Sequence, residues 1–459
     1  IILVIDDFDQ FINVRSDFVS EIIGLFVKAY EEYDLKVIAT SNREGYTRYI
    51  SQQKSLSSIF SLVELSEPSE EVSIQVLLDK VSFLEKKYSL RISFEALVSS
   101  VKFGNKILYD RTMPEKGIYI LEKACIKANR ESQKELSASF VERVISEQIG
   151  VKVGKLTKEE SKELDNLESV ISSRILGQKE AVMSVVNAIK RSRAEVSSEK
   201  KPLASFLFYG PTGVGKTELA KVIADVFFSD AKRLIKIDLG EYQEEDNLVR
   251  LIGKGDTSNF LGGELTEFVR KNPFSVVILD EIEKAKPQVL DVFLQLLDEG
   301  YLTDGAGRKV VFTNTIVVAT SNVGSKIIAD SISKGESYKQ TSIKVEAELS
   351  NVFKVEFLNR FDKLVMFKPL HRIDIEEIAN MMLKEQVENL KEKGIDLEYS
   401  KEFLSEISNI GYDPVYGARS MRRAIQDNVE AKIAEQIVSG KLKTGGTIKF
   451  NSLKDIAIS

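Results

Sequence analysis

The sequence predicts an α/β protein in which one two-part unit, alternating strands and helices followed by a helical region, occurs twice, the first copy incomplete. Three observations carry this. Residues 210–217 read GPTGVGKT directly after the apolar run Phe206-Leu207-Phe208-Tyr209, which is the strand–loop–helix order of a phosphate-binding loop. From Ile171 to Phe367 the apolar strands SFLFYG, RLIKIDL, SVVILDE and NTIVVATSN alternate with helical stretches, the pattern of a sheet built through crossover helices. Residues 1–66 show the same alternation in shorter form: strand (IILVI), helix (DFVSEIIGLFVKAYEEY), strand (LKVIATS) and a last strand near SLVEL.

Each α/β stretch gives way to a helical one. Residues 67–150 lose the strand signal and carry 3.6-period segments such as VSIQVLLDKVSFLEKKY. Residues 151–170 are charged and read as a linker with a helix in it. The second α/β region occupies 171–368, and residues 369–459 are again mostly helical, with a final strand pair near GGTIKF. Residues 331–345, SISKGESYKQTSIKV, read as a polar loop. This is a repeat at the scale of domains.

Bulk properties narrow the class. A chain of 459 residues suggests about three domains on the usual 100–200 residues each. A net charge of −6 and a pI near 5.4 argue against a general nucleic-acid binder. No apolar run approaches a membrane span. The single cysteine, Cys125, excludes an internal disulfide and fits a reducing compartment, hence a cytoplasmic location; in ILEKAC it reads as a small buried apolar residue. The lone His371 reads as a surface or capping residue after Pro369. The opening run Ile1-Ile2-Leu3-Val4-Ile5, followed by Asp6-Asp7, resembles a buried strand entering an active-site edge. It predicts that the chain is part of a longer protein.

The chemistry centres on the loop. Its glycines, Gly210, Gly213 and Gly215, let the backbone curl until N–H groups converge on a phosphate, with Pro211, Thr212 and Val214 between them. Lys216 can reach the outer phosphates, and the Thr217 hydroxyl can ligate Mg²⁺. The following helix, ELAKVIADVF, turns its positive end toward the same point. Asp280 and Glu281 end the apolar strand VVILDE. Asp280 suits the Mg²⁺ water shell, and Glu281 suits orientation or deprotonation of an attacking water. Asn322 ends the strand TIVVATSN; it suits contact with the γ-phosphate or the water, or else serves as a turn residue. Arg360 in EFLNRFD and Arg419 in YGARSMRRAIQ offer planar, permanent charge, although either alone also reads as a salt-bridged helix residue.

Taken in order, GPTGVGKTELAK, DLGEYQEEDNLVRLIG, GGELTEFVRKNPFSVVILDEIEKAKP, LLDEGYLTDGAGR, TSNVGS, EFLNRFD and GYDPVYGARSMRRAIQ resemble the second ATPase module of the Clp family of AAA+ unfoldases. The resemblance covers nearly all of 165–459 and extends more weakly into VIDDFD, IATSNREGY and ELSEPSEEVSIQVL. It implies tandem AAA+ modules of the P-loop NTPase type, each a doubly wound parallel sheet with a helical lid. It implies that Arg360 is a finger acting on a neighbouring subunit's nucleotide, that Arg419 is a sensor from the lid, and that Asn322 is the first sensor. Ile175 and Gly177, in RILGQ, would clasp the adenine side. ATP and Mg²⁺ are the implied ligands, protein substrates and a hexameric ring the implied partners, and protein unfolding driven mainly by the second module the implied activity.

Four departures qualify this. The first copy has Asp6-Asp7 where the family carries Asp-Glu; the shorter Asp7 draws its carboxylate back by about a bond length, and misplacement near 1 Å can cost on the order of 100-fold in rate. Ser58-Ile59 stand where the family pairs arginines. The loop GKGDTSNFLGGELTE lacks the family's Gly-Tyr-Val-Gly grip; Phe260 and Leu261 either replace it as a substrate paddle or pack beneath the loop. Residues 323–358 contain no Ile/Leu-Gly-Phe/Leu tripeptide for a peptidase partner. The alternatives are therefore a nucleotide-switched scaffold that does not thread substrate, or a regulatory ATPase subunit of a Clp-type peptidase.

Overall fold

The computed structural model describes residues 2–12, 18–33, 36–42, 45–108, 111–151, 158–193, 200–242, 246–255, 261–413 and 417–458. They form two compact units, 1–69 and 70–459.

In the first unit, strands β1 (Ile2–Ile5) and β2 (Lys36–Ala39) pair in parallel, Ile2 opposite Lys36 and Ile5 opposite Ala39. Helices α1 (Phe8–Ile12) and α2 (Phe18–Tyr33) connect them. A small core gathers Phe8, Ile12, Ile23, Ile50 and Leu56, with the Phe8 ring 5.7 Å from Phe26 and 5.6 Å from Phe60. The strand predicted near SLVEL does not form. Residues 60–69 have no regular structure, and Leu62, Val63 and Leu65 are exposed. Apolar character alone does not make a strand; its N–H and C=O groups need a partner, and no described residue pairs with this segment.

The second unit begins with four packed helices, α3 (Glu70–Tyr88), α4 (Phe94–Ile107), α5 (Glu115–Arg130) and α6 (Ala138–Ile149). Ser93 and Ser137 cap α4 and α6 by accepting backbone N–H bonds. Cys125 is fully buried in their core, where burial, aided by the Glu122 charge, pushes its thiol up to about 12. It is therefore a packing residue, as the sequence suggests. Helices α7 (Lys158–Arg174) and α8 (Lys179–Arg193) lead into the main sheet.

That sheet contains β3 (Ala204–Tyr209), β4 (Leu234–Asp238), β5 (Val276–Asp280), β6 (Ile316–Ser321) and β7 (Lys363–Met366), in the order β7-β3-β6-β5-β4 and all parallel. Every residue of β3, β5 and β6 is buried. Because successive side chains point to opposite faces, Phe206, Phe208, Ile278 and Val318 feed one core. Leu207, Tyr209, Leu279 and Ala319 feed the other. Helices thus cover both faces, which explains the continuous apolar strands. Helix α9 (Lys216–Phe228) follows β3, and α10 (Pro287–Glu299) follows β5.

Residues 331–345 are not the loop the polarity suggests. Helix α11 (Ser325–Ser333) ends before Gly335, and α12 (Tyr338–Val352) starts at once from Ser337. Ser337 and Gln340 form a reciprocal capping box, and Thr341, Val345 and Leu349 are buried at the i, i+4 spacing of one helix face. The carboxy-terminal part comprises α13 (Arg372–Lys391), a helix at Lys401–Gly411, α14 (Ala418–Ile425) and a helix at Ala431–Val438. His371 is exposed and is the N-cap of α13. The strand pair near GGTIKF gains a third member: Asp396–Tyr399 lies parallel to Thr447–Phe450, which pairs antiparallel with Ile456–Ile458.

Candidate nucleotide site

The carboxyl ends of β3, β6 and β5 lie side by side, Ser321 opposite Tyr209 and Ala319 opposite Leu279. This register carries the loop, Asn322 and the Asp280-Glu281 pair to one edge of the sheet, where open parallel sheets take their ligands. Gly210 turns the chain out of β3 at φ +133°, and a Cβ there would sit 2.5 Å from the Phe367 carbonyl oxygen. Only glycine satisfies both conditions. Gly213 and Gly215 also have positive φ.

Lys216 opens α9 and folds back under the loop. Its Nζ donates to the carbonyls of Gly210 (2.5 Å), Pro211 (3.0 Å) and Ser321 (3.0 Å) and to Asn322 Oδ1 (2.9 Å). It is buried. Burial pushes its pKa down to about 8, against the pull of the Glu283, Asp280 and Glu281 charges. The Arg419 charge adds to the depression. Thr217, half-buried in the first turn of α9, follows it.

Asp280 is buried at the end of β5, and burial alone would disfavour its charge. The Lys236 ammonium, 2.6 Å from Oδ2, and the Thr320 hydroxyl, which donates to Oδ1, outweigh that and hold the carboxyl below its ordinary value. Glu281 has φ +55°, a left-handed conformation rare for non-glycine residues and frequent at functional sites. Its N–H donates to Thr320 Oγ1 (3.3 Å), and its carboxylate pairs with Lys284. Glu283 accepts the Asn322 N–H (3.1 Å) through Oε1, while its buried Oε2 has no hydrogen-bond partner among the described residues.

The lid docks on the loop through backbone atoms. Ala418 N donates to Gly213 O (2.8 Å). Gly417 has φ +53°, and a Cβ there would meet Gly213 O at 2.7 Å. Arg419 is thereby brought beside the loop. On the other flank Ile175 is buried and Gly177 packs at α13, where a Cβ would lie 2.8 Å from Asp374 Oδ2. Gln178, adjacent to them, donates to Lys368 O (2.8 Å) and Val214 O (3.3 Å) and accepts from Lys368 N (3.0 Å).

Arg360 is not at this edge. It belongs to the loop entering β7, which is tied to the start of β3: Ser205 N donates to Asp362 Oδ2 (2.7 Å), and Asp362 N donates to Ser205 Oγ (3.0 Å). Ser205 and Tyr209 are four residues apart in β3, roughly 13 Å along a strand. Phe260 lies outside the described residues. Leu261 is 66% exposed, in a two-residue ladder with Lys254.

The residues fit a nucleotide and a divalent cation. Glycine N–H groups, a buried ammonium and a helix N-terminus form an anion cradle. Thr217 and a carboxylate kept ionised supply hard oxygen ligands. Sequence reasoning missed Lys236, Thr320, Glu283, Lys284 and Gln178. Glu283 and Lys284 had a signal, since they continue the acidic strand end in DEIEK.

A glycine loop at the edge of a parallel sheet, flanked by acidic and polar strand ends and closed by a helical lid, places this unit among AAA+ nucleotide-binding modules. Comparison with known proteins narrows that class. Residues 201–364 match the family described as AAA domain (Cdc48 subfamily), 370–450 the C-terminal, D2-small domain of ClpB protein, and 69–176 an AAA lid domain. The chain is 33% identical to an ATP-dependent Clp protease ATP-binding subunit ClpA homolog of Guillardia theta, over 97% of this chain and 64% of that protein. It is 33% identical to the chaperone protein ClpB of Oceanobacillus iheyensis, over 91% and 60%. Among solved structures, the closed state of Hsp104 with ATPyS and FITC casein superposes with a TM-score of 0.83 at 28% identity, over 100% of this chain and 79% of that one. The chain belongs to the Clp family of AAA+ ATPases. It spans 60–64% of the length of these two curated relatives.

Proposed function

We propose that this chain is an ATP-driven protein-remodelling subunit whose second unit performs the hydrolysis. The observation that carries the reading is the convergence of Lys216, Asp280, Glu281 and Asn322 on one sheet edge, with Lys216 bonded to Asn322. In this reading the N–H groups of residues 210–217 and Lys216 bind the phosphates. Thr217 and, through water, Asp280 hold Mg²⁺, which would neutralise charge on the phosphate oxygens. Glu281 orients a water and takes its proton, Asn322 fixes that water, and Arg419 reads the γ-phosphate from the lid. Ile175 and Gly177 clasp the base. The domain division is 1–66, 67–150, 151–170, 171–368 and 369–459.

Arg360, at the far end of β3 from the loop, serves a neighbouring subunit's nucleotide. That requires a ring, a hexamer by family habit, and a cytoplasmic location suits it; no helix among the described residues is long and apolar enough to cross a membrane. Exposed Leu261, with Phe260, grips a protein substrate threaded through the ring. The altered loop also favours the second reading, a nucleotide-switched scaffold.

Casein unfolding by the purified full chain with ATP separates the two. Phe260→Ala is expected to keep basal ATPase and the melting temperature while losing unfolding. Unfolding at the original rate by a stable Phe260→Ala protein rejects the gripping role of Phe260, whereas no casein unfolding by the original protein supports the scaffold.

A further inference from the structure

Arg360 approaches carboxylates of its own chain. Its Nε lies 2.9 Å from Asp298 Oδ2, and its Nη2 lies 3.4 Å from Glu356 Oε1. The Asp298 contact is close but off the N–H axis, since Nε makes no aligned hydrogen bond among the described residues. It is a charge pairing that draws the Nε side of the guanidinium toward the end of α10. Asp298 is the less exposed partner at 28%, against 64% for Glu356, so its charge is the less screened of the two.

Asp298 occupies the last turn of α10, just before Gly300 ends that helix in the left-handed conformation. The same helix begins six residues after Glu281 and runs 13 residues, roughly 20 Å. The backbone of the arginine is fixed independently by the Asp362–Ser205 bonds. What stays undetermined by backbone is the long, rotamer-rich side chain. A carboxylate at Nε restrains the stem side of the fork, and the terminal nitrogens, of which Nη2 also donates to the exposed Glu356, form the edge that meets an anion bidentately.

We infer that Asp298 is a positioning residue for Arg360, holding the fork outward toward the neighbouring subunit's phosphates. This rests on the proposed trans role of Arg360. Steady-state ATPase of the full chain tests it. Asp298→Asn is expected to lower kcat about tenfold, less than the ~100-fold that a full 1 Å misplacement can cost, with KM for ATP within about twofold of the original, because uniform binding is untouched. Asp298→Glu is expected to recover at least half of the lost rate.

Mixing supplies a readout that a merely structural defect would not move. Lys216→Ala subunits keep an intact finger. Added to Asp298→Asn subunits, they are expected to raise turnover per Asp298→Asn subunit. An original kcat in Asp298→Asn, or no rise on mixing, overturns the inference while Arg360→Ala still loses activity. Original turnover in Arg360→Ala instead overturns the trans role itself. Should Asp298→Asn fail to fold, Asp298→Ser is read by the same criteria.

Discussion

The strand end Asp6-Asp7 in the first unit and the strand end Asp280-Glu281 in the second share one local arrangement. In each, the second acid has positive φ, 50° for Asp7 and 55° for Glu281. In each, the first acid accepts a threonine hydroxyl from the neighbouring strand, Thr40 or Thr320. The same hydroxyl accepts the next N–H, at 3.0 Å from Asp7 and 3.3 Å from Glu281. Two residues further on, Asp9 accepts from Asn42 Nδ2 (3.2 Å) and Glu283 from Asn322 N (3.1 Å), and both leave one buried oxygen without a hydrogen-bond partner among the described residues. The difference is in the counter-charges. Lysines back the second copy, Lys236 on Asp280 and Lys284 on Glu281, whereas Asp7 receives the neutral amide of Gln10 (3.3 Å). The shared backbone device is therefore scaffold. It holds strand ends together whether or not the carboxylates do chemistry, and side-chain length and counter-charge are what distinguish the copy proposed to be catalytic.

The largest expected contrast comes from neutralising the second acid in each copy. Glu281→Gln removes the proposed proton acceptor and should cut kcat by about 10²–10⁴ while nucleotide binding persists. Asp7→Asn should leave ATPase within about twofold. Matched losses in the two variants, read by phosphate release and by fluorescent-nucleotide titration, would erase the distinction between the copies.

A second contrast uses the buried lysine. Folding lowers the Lys216 pKa from 10.5 to about 8, so between those values the unfolded chain binds the proton more tightly. Stability measured without nucleotide should then rise with pH through that window, by on the order of 3 kcal/mol in full, and the penalty should be complete below about pH 8. Denaturant midpoints at pH 7.5 and pH 10 should diverge in the original protein and converge in Lys216→Met. An unchanged slope in Lys216→Met would assign the titration elsewhere.

The smallest contrast tests the hydroxyls. Thr320→Val leaves buried Asp280 short of a donor, which costs about 1–3 kcal/mol. ATPase should fall about tenfold, because the carboxylate loses its orientation. Thr40→Val makes the same deletion at an exposed bond and should change ATPase by less than about twofold. Equal effects would mean that the hydroxyl matters only to the fold.

Much of this architecture was legible because its signals are contiguous. GPTGVGKT, the apolar strands and the DEIEK strand end each write their backbone geometry within a few residues. The limits of such reading are equally physical. SLVEL looked like a strand because its apolar residues suit one, yet a strand exists only where another supplies hydrogen bonds. SISKGESYKQTSIKV looked like a loop because polarity outweighed the capping box that starts α12.

At the site, Lys236 resembles any solvent-facing lysine in a strand. Only the pairing of β4 with β5, Asp238 opposite Asp280 and Lys236 opposite Ile278, places its ammonium diagonally against Asp280. Thr320 and Gln178 are likewise given their roles by residues at least 36 positions away. Asp298 finds Arg360 from 62 positions away (360 − 298). The sequence alone determined which chemical groups are present and the local turns that expose them. Tertiary structure decided which charges neighbour which, because sheet register and helix packing set those distances and no local pattern encodes them.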